Sequence, residues 1–480
     1  MLGWAHARLV PAIVVLAMVL MCGFGVASAQ AVKFTVNTGV DGVDVIPGNG
    51  TCDTGTGACT LRAAIQEANA LPGADEIDLG ARTHNLTIAG ASENSSATGD
   101  LDIASDITIV GDCARTSIID ATGLGDRILE VLSGTVDLQN VRLTNGNTSN
   151  SGAGIDNHST SLTLTNSQVD HNTGAGGIQN EDGATTHLVR SMVSDNSTTS
   201  SGGGITNYGT LTLDNSSVVH NSASFFGGGI RQPTSGGPPP PGRMVTLRFS
   251  TVALNTTPSS NGVGVSVAQG PFVAASSIIA RNLGGATESN CAIPADSASH
   301  SLEGGTDCGF TGGGNVQNGD PQFAGALADN GGCTDTLAIQ SASQAINLGD
   351  PAGAPTVDQR GFPRPVGGGP DSGSFEFGSS GNQAPVANDD TGSTSEDTQL
   401  NVSAPGVLTN DTDQNGDTLT ATMVTGPSHG NLTFNSNGSY SYTPAANYNG
   451  PDSFTYKAND GAADSNIATV NITVTAVNDA

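Results

Sequence analysis

Apolar and polar positions alternate in short runs through the middle of the chain, as in Leu162-Thr-Leu164-Thr and Leu211-Thr-Leu213-Asp, and period two marks short β-strands. Between about 140 and 285 these runs sit between two returning phrases. One is Gly-rich: GAGIDN (152–157), AGGIQN (175–180), GGGITN (202–207), GGGIRQ (227–232) and GVGVSV (262–267). The other places Ser, Val or Ile, and Asn at fixed offsets: Ser167, Val169, Asn172; Ser191, Val193, Asn196; Ser216, Val218, Asn221; Ser250, Val252, Asn255; Ser277, Ile279, Asn282. The Asn-to-Asn spacings are 24, 25, 34 and 27 residues. A repeat of that size holds a few short strands and turns. Stacking the repeats at ~4.8 Å pairs each backbone with the next, which predicts a parallel β-helix. Val, Ile and Leu then line the axis. Asn172, Asn196, Asn221, Asn255 and Asn282 form one amide ladder, and Asn157, Asn180, Asn207 and Gln232 a second. Glycine is expected to supply positive φ at the corners. The longest spacing contains TSGGPPPPG (234–242), which must bulge out because proline cannot donate to a ladder.

Open solenoid ends pair with other chains unless covered. Thr60–Ala70 is the one convincing helix, with Leu61, Ala64, Ile65 and Ala68 on one face, and is expected to cap the N-terminal end. A strand at 34–37 precedes it, and the runs at 101–103, 107–110, 118–119 and 128–131 read as the first rungs. Residues around 334–377 are expected to cap the other end.

Composition narrows the partners. Against 44 Asp+Glu stand only 15 Lys+Arg, a formal net charge of -29, which argues against nucleic acid and anionic membranes. Neither Lys33 nor Lys457 lies in a phosphate-clamping loop. Arg8, the apolar run 9–26 and Ala27-Ser28-Ala29 read as a signal peptide over 1–29, with no retained membrane span and export to the cell surface or medium. Once Cys22 is removed with it, six cysteines remain, an even count suited to an oxidising compartment. Nearest-neighbour pairing joins Cys52 to Cys59 and Cys291 to Cys308 and leaves Cys113 with Cys333, one of 15 connectivities.

The stretch 34–70, with CTLRAA at 59–64, resembles the N-terminal domain of the CSLREA family. Residues 329–377, with DQRGFPRP and an SGSFEF close, resemble the choice-of-anchor Q domain. Together these imply a surface or secreted bacterial protein with a right-handed parallel β-helix over 30–377. The repeats also resemble those of polymorphic outer-membrane adhesins, with Ser at the Phe-type position. After a Gly/Ser linker (378–383), residues 384–480 resemble cadherin-like or bacterial Ig-like repeats in APVANDD, GVLTNDTDQNGDTLT, YNGPDSFTYKANDG and VNDA. About one hundred residues with some seven strands fit a β-sandwich. The expected fold class is thus all-β: a β-helix with an N-terminal capping helix, plus a C-terminal sandwich.

Acidic residues comprise 35 Asp and 9 Glu, a skew toward the short carboxylate that suits hard cations in loops. Asp411-x-Asp413-x-Asn415-Gly416-Asp417 begins like an EF-hand loop, but its twelfth position is Thr422 rather than Glu. By the cadherin-like resemblance, calcium near the module boundary would draw on Asp389, Asp390, Asp411, Asp413, Asp460 and Asp479. Gly426-Pro-Ser428-His-Gly430 matches a nucleophile-elbow pattern but joins two strands, so it reads as a turn. His171, Asp195 and His220 precede laddered Asn residues and should stack as solvated turn positions. Asp156, Gln179, Thr206 and Arg231 share one place in successive rungs, which is not a column of acids. The leading expectation is therefore a non-catalytic adhesion or scaffold protein facing glycans or neighbouring cells. The competing class is a polysaccharide lyase or glycosidase, which a column of carboxylates beside an arginine would favour.

Overall fold

The computed structural model describes residues 31–478 except 91–92, 160, 235–236, 239, 259, 261, 380–383, 414–417 and 462. The expected signal peptide, Asp479 and most of the linker lie outside the described residues. Over 33–303 the short strands stack into three all-parallel sheets of ten, seven and nine strands, the sides of a parallel β-helix. One rung runs Ile178–Asn180, Thr185–Val189, Met192–Ser194 and Ser197–Thr198 before the chain re-enters the seven-stranded sheet at Ile205–Asn207. Like residues superpose from rung to rung. Ile155, Ile178, Ile205, Ile230 and Val265 form one inward column, and Val169, Val193, Val218, Val252 and Ile279 another, all buried.

Both amide ladders form. Nδ2 of Asn172, Asn196, Asn221 and Asn255 donates to the Oδ1 one rung on at 2.9, 3.0, 3.1 and 2.8 Å, and Asn282 extends the file to Asn290 at 2.9 Å. Each of these Oδ1 atoms also accepts the backbone N–H of the preceding Asn, so buried corner donors are satisfied. The second file runs Asn157, Asn180, Asn207, Gln232 at 3.0, 2.8 and 2.6 Å. The recurring serines make a third: backbone N–H groups of Ser167, Ser191, Ser216, Ser250 and Ser277 donate to the Oγ of Ser191, Ser216, Ser250, Ser277 and Ser301. Positive φ comes from glycine at two corners, at Gly152, Gly176, Gly202, Gly227 and Gly262 on entry to the seven-stranded sheet and at Gly134, Gly183, Gly242 and Gly270 between it and the ten-stranded sheet. The other two corners are turned by the residue ahead of each ladder position, including His171, Asp195, His220, Leu254 and Arg281 at φ between 55° and 59°. The ladder bonds hold these non-glycine residues in a region they seldom occupy.

Helix α1 (Leu61–Ala70) caps the N-terminal end; the Thr60 hydroxyl accepts from the Ala63 N–H, and Leu61, Ala64, Ile65 and Ala68 are buried. Arg62 is buried with its stem. Its guanidinium pairs with Asp41 and donates to the carbonyls of Ser96, Gly99 and Asp100, tying α1 to the loop that enters the seven-stranded sheet.

The far end departs from expectation. Phe310 and the Cys291–Cys308 disulfide cover the last rung, while residues 316–377 run back along the outside of the nine-stranded sheet. That strap buries Phe323, Leu337, Ile339, Ala345 and Phe375 against the outward Met192, Val219, Ala253, Ile278 and Ala280. An apolar stripe on the flank, rather than an open end, is what this segment had to cover. Cys113–Cys333 and bonds from Arg115 to the carbonyls of Gly332 and Thr334 fasten the strap to an early rung, and the two nearest-neighbour pairings, Cys52–Cys59 and Cys291–Cys308, also form.

The C-terminal module is a seven-stranded sandwich. Four strands (Asp390–Ser395, Ala468–Thr475, Gly450–Asn459, Thr420–Thr425) face three (Leu400–Val402, Tyr440–Pro444, Gly430–Phe434) across a core of Tyr440, Tyr442, Phe454, Tyr456, Val470 and Ile472.

Candidate functional site

Each strand of the seven-stranded sheet has three residues, and the middle one points outward between two core-facing neighbours. In register these middle residues are Asp102, Glu130, Asp156, Gln179, Thr206, Arg231 and Ser266. The expectation that this place holds no column of acids is corrected at its N-terminal end, where three carboxylates stand in file. The signal was present in the apolar-acid-apolar triplet Leu101-Asp-Ile103, but these early rungs lack the Gly and Asn phrases that mark the register later on.

Asp100, Asp126 and Arg127 flank the file. Arg127 Nη1 donates to Asp156 Oδ2 at 2.7 Å and lies 3.5 Å from Glu130 Oε1, and its Nε is 3.4 Å from Asp100 Oδ2. His158 Nε2 is 3.2 Å from Glu130 Oε1. Burial, then repulsion from Asp102 and Asp126, pushes the Asp100 carboxyl up to about 8. Burial likewise raises Asp102 to about 7 and Asp156 to about 6.

From the next rung on, the same face becomes a shallow polar groove of about 350 Å³ whose lining includes Gln179, Thr198, Ser200, Thr206, Tyr208 and Arg231. Arg231 donates to Ser266 Oγ at 2.7 Å, and its guanidinium stands 5.4 Å from the Phe226 ring centre; that of Arg243 stands 5.5 Å from the ring centre of Tyr208. Among the described residues neither guanidinium forms an ion pair, and burial draws both below the usual arginine range. Neither carboxylate nor imidazole lines this groove.

In the sandwich the structure brings Asp390 and Asp411 together around the Tyr456 hydroxyl, which lies 3.2 Å from Asp390 Oδ2 and 3.0 Å from both Asp411 oxygens. Asp389 is close by and accepts from the Thr469 N–H. Burial first, then the charges of Asp411 and Asp389, raises Asp390 to about 6. Asp413 begins a loop whose next four residues are outside the description. Asp460 sits in the turn after Gly450–Asn459, where Oδ1 accepts from the Ala463 N–H, apart from the Tyr456 pair. Ser428 lies in the turn before Gly430–Phe434, its N–H donating to Asp452, with no helix following, so the GxSxG match is a strand connection. His171 pairs with Asp170, and His171, Asp195 and His220 stay substantially exposed.

The class defined is a parallel β-helix carrying a cadherin-like sandwich. Residues 382–476 match the family model of the bacterial cadherin-like domain. Among solved structures, pectate lyase Pel9A is 13% identical over 73% of this chain and 97% of its own, with a TM-score of 0.38. The endo-fucoidan hydrolase MfFcnA4 of glycoside hydrolase family 107 is 29% identical over 20% of this chain, with a TM-score of 0.16, and the chain spans 14% of its length. MfFcnA9, of the same family, is 20% identical over 32% of this chain and 27% of its own, with a TM-score of 0.15. No curated protein matches the sequence. These structural likenesses assign neither activity nor substrate.

Proposed function

We propose that this is a secreted or cell-surface protein whose β-helix binds glycans without cleaving them. The polar groove at Gln179, Thr206, Tyr208 and Arg231 carries the reading. It sits on a rigid sheet, offers hydroxyl and amide partners with an aromatic ring, and lacks the paired carboxylates that glycoside hydrolysis uses. The Arg231 guanidinium, which forms no ion pair among the described residues, favours a chain bearing uronate or sulfate groups. The N-terminal apolar segment and the likeness of 34–70 and 329–377 to surface-protein domains support export, as do three disulfides. No described helix is long and apolar enough to cross a membrane. In the cadherin-like module, Asp389, Asp390, Asp411 and Asp413 would hold calcium. Their donors are all hard oxygens, and Asp390 and Asp411 converge on the one Tyr456 hydroxyl. Bound there, calcium would neutralise the crowded acids and stiffen the module.

Binding to an array of acidic and neutral polysaccharides tests the groove. Tyr208→Ala and Arg231→Gln are each expected to weaken retention roughly tenfold, about 1.4 kcal/mol. Unchanged binding in both would reject the groove as the site. A polysaccharide lyase or glycosidase is the second reading, favoured by the file Asp102, Glu130, Asp156 beside Arg127; new reducing ends or unsaturated products from any glycan would establish it over the non-catalytic one.

A further inference from the structure

We propose that Asp100, Asp102 and Glu130, at the N-terminal end of the seven-stranded sheet, form a binding site for a hard divalent cation, calcium above others. One carboxylate oxygen from each lies within 4.8 Å of the other two. That is the span of oxygens arranged around one calcium ion at about 2.4 Å.

The site is built rather than a chance gathering of surface acids. Asp102 is 0% exposed and Asp100 4%. Asp102 Oδ2 accepts the Ser96 N–H at 2.7 Å, whereas its buried Oδ1 has no partner. An orphaned buried carboxylate oxygen costs on the order of 1–3 kcal/mol or more, and a cation removes that cost. Asp156, 2% exposed on the next rung, also keeps Oδ1 without a partner. Arg62 pairs with Asp41, and Arg127 bonds Asp156 and stands 3.4 and 3.5 Å from Asp100 and Glu130, but neither guanidinium forms an ion pair with Asp102. Like charges in register on adjacent strands repel, so five carboxylates (Asp100, Asp102, Asp126, Glu130, Asp156) around one arginine call for a second positive charge.

The scaffold holds the ligands from two directions. Asp102 and Glu130 stand in register on paired strands, and Arg62 of helix α1 fixes the backbone carbonyl of Asp100 at 3.0 Å. An all-oxygen set selects calcium, magnesium or manganese over zinc, and carboxylates of unequal length drawn from two strands and a loop suit the larger, more tolerant ion. His158 reaches Glu130 from the opposite side, toward Asp156, and is not needed by this set.

Calorimetric titration of the EDTA-treated full chain with calcium chloride, and separately with magnesium chloride, tests the site. Asp102→Asn keeps the side-chain shape and the Ser96 contact and is expected to remove one equivalent of calcium, as is the less buried Glu130→Gln. Asp411→Asn, in the sandwich, is expected to leave that equivalent in place, which separates this site from any in the cadherin-like module. Glycan retention in EDTA is read in parallel, so loss of the cation site and loss of the glycan reading give different results. Unchanged calcium stoichiometry in folded Glu130→Gln, or in folded Asp102→Asn, would overturn the proposal, as would a wild-type chain that binds calcium only through residues lost in Asp411→Asn.

Discussion

Replacing Arg364 by Ala is expected to cost the β-helix about 3–5 kcal/mol, the range for breaking one side of a buried ion pair. Arg364 Nε donates to Glu376 Oε2 at 2.9 Å, Nη1 to Asn215 Oδ1 at 2.7 Å and Nη2 to the Gly373 carbonyl at 3.0 Å. Both side chains are fully buried. Without the guanidinium, Glu376 keeps only the N–H groups of Val366 and Asp371. Arg364 and Glu376 both belong to the strap and Asn215 to the β-helix, so the guanidinium is the rivet between them. A lower urea midpoint and faster proteolysis within 316–377 are expected. Replacing both partners by Met should recover the part of the loss that lies in the stranded charge, while the Val366 and Asp371 N–H groups and Asn215 Oδ1 still lose these partners. A midpoint unchanged in Arg364→Ala would mean that the strap is held elsewhere.

Asn221→Leu, close in volume, is expected to cost about 3 kcal/mol or more, because each buried polar group left without a partner costs about 1–3 kcal/mol. Asn221 Oδ1 accepts both the backbone and side-chain N–H of Asn196, and its Nδ2 faces Asn255 Oδ1 and the carbonyls of Val193 and Val219. The apolar side chain orphans several of these at once in the middle of the file. His220→Asn is the matched control. His220 holds φ 57° next door, a conformation Asn tolerates better, so its stability should be equal or slightly higher. Equal denaturation midpoints for Asn221→Leu and wild type would show that the ladder is not a structural element.

The ladders and core columns were legible because a solenoid repeats one environment, and repetition turns a three-dimensional register into a sequence period. The Ser, Val and Asn offsets therefore named buried positions directly, and proximity named Cys52–Cys59 and Cys291–Cys308 but not the bridge between Cys113 and Cys333, which are 220 residues apart. The strap was misplaced for a physical reason. A three-residue strand such as Met192–Ser194 or Ile278–Ala280 is too short for alternation to reveal an apolar outer face. The acidic file escaped notice because Asp102 and Glu130 precede the recurring phrases, so no period aligned them with Asp156. DQRGFPRP and SGSFEF stood out as a resemblance; the structure gives their physics, with Asp358, Arg360, Arg364 and Glu376 interlocked under the rings of Phe362 and Phe375.

Distances between paired spin labels test the stacking of rungs most directly. Thr108, Asp137, Thr163, His187, Thr212, Thr246 and Val273 occupy successive outward places in the ten-stranded sheet. With one label at Thr108 and the second at Thr212, Thr246 or Val273, backbone separations of ~19, ~24 and ~29 Å are expected, one strand spacing per rung. Distances that fail to grow by equal steps along that series would contradict the β-helix and every site built on it.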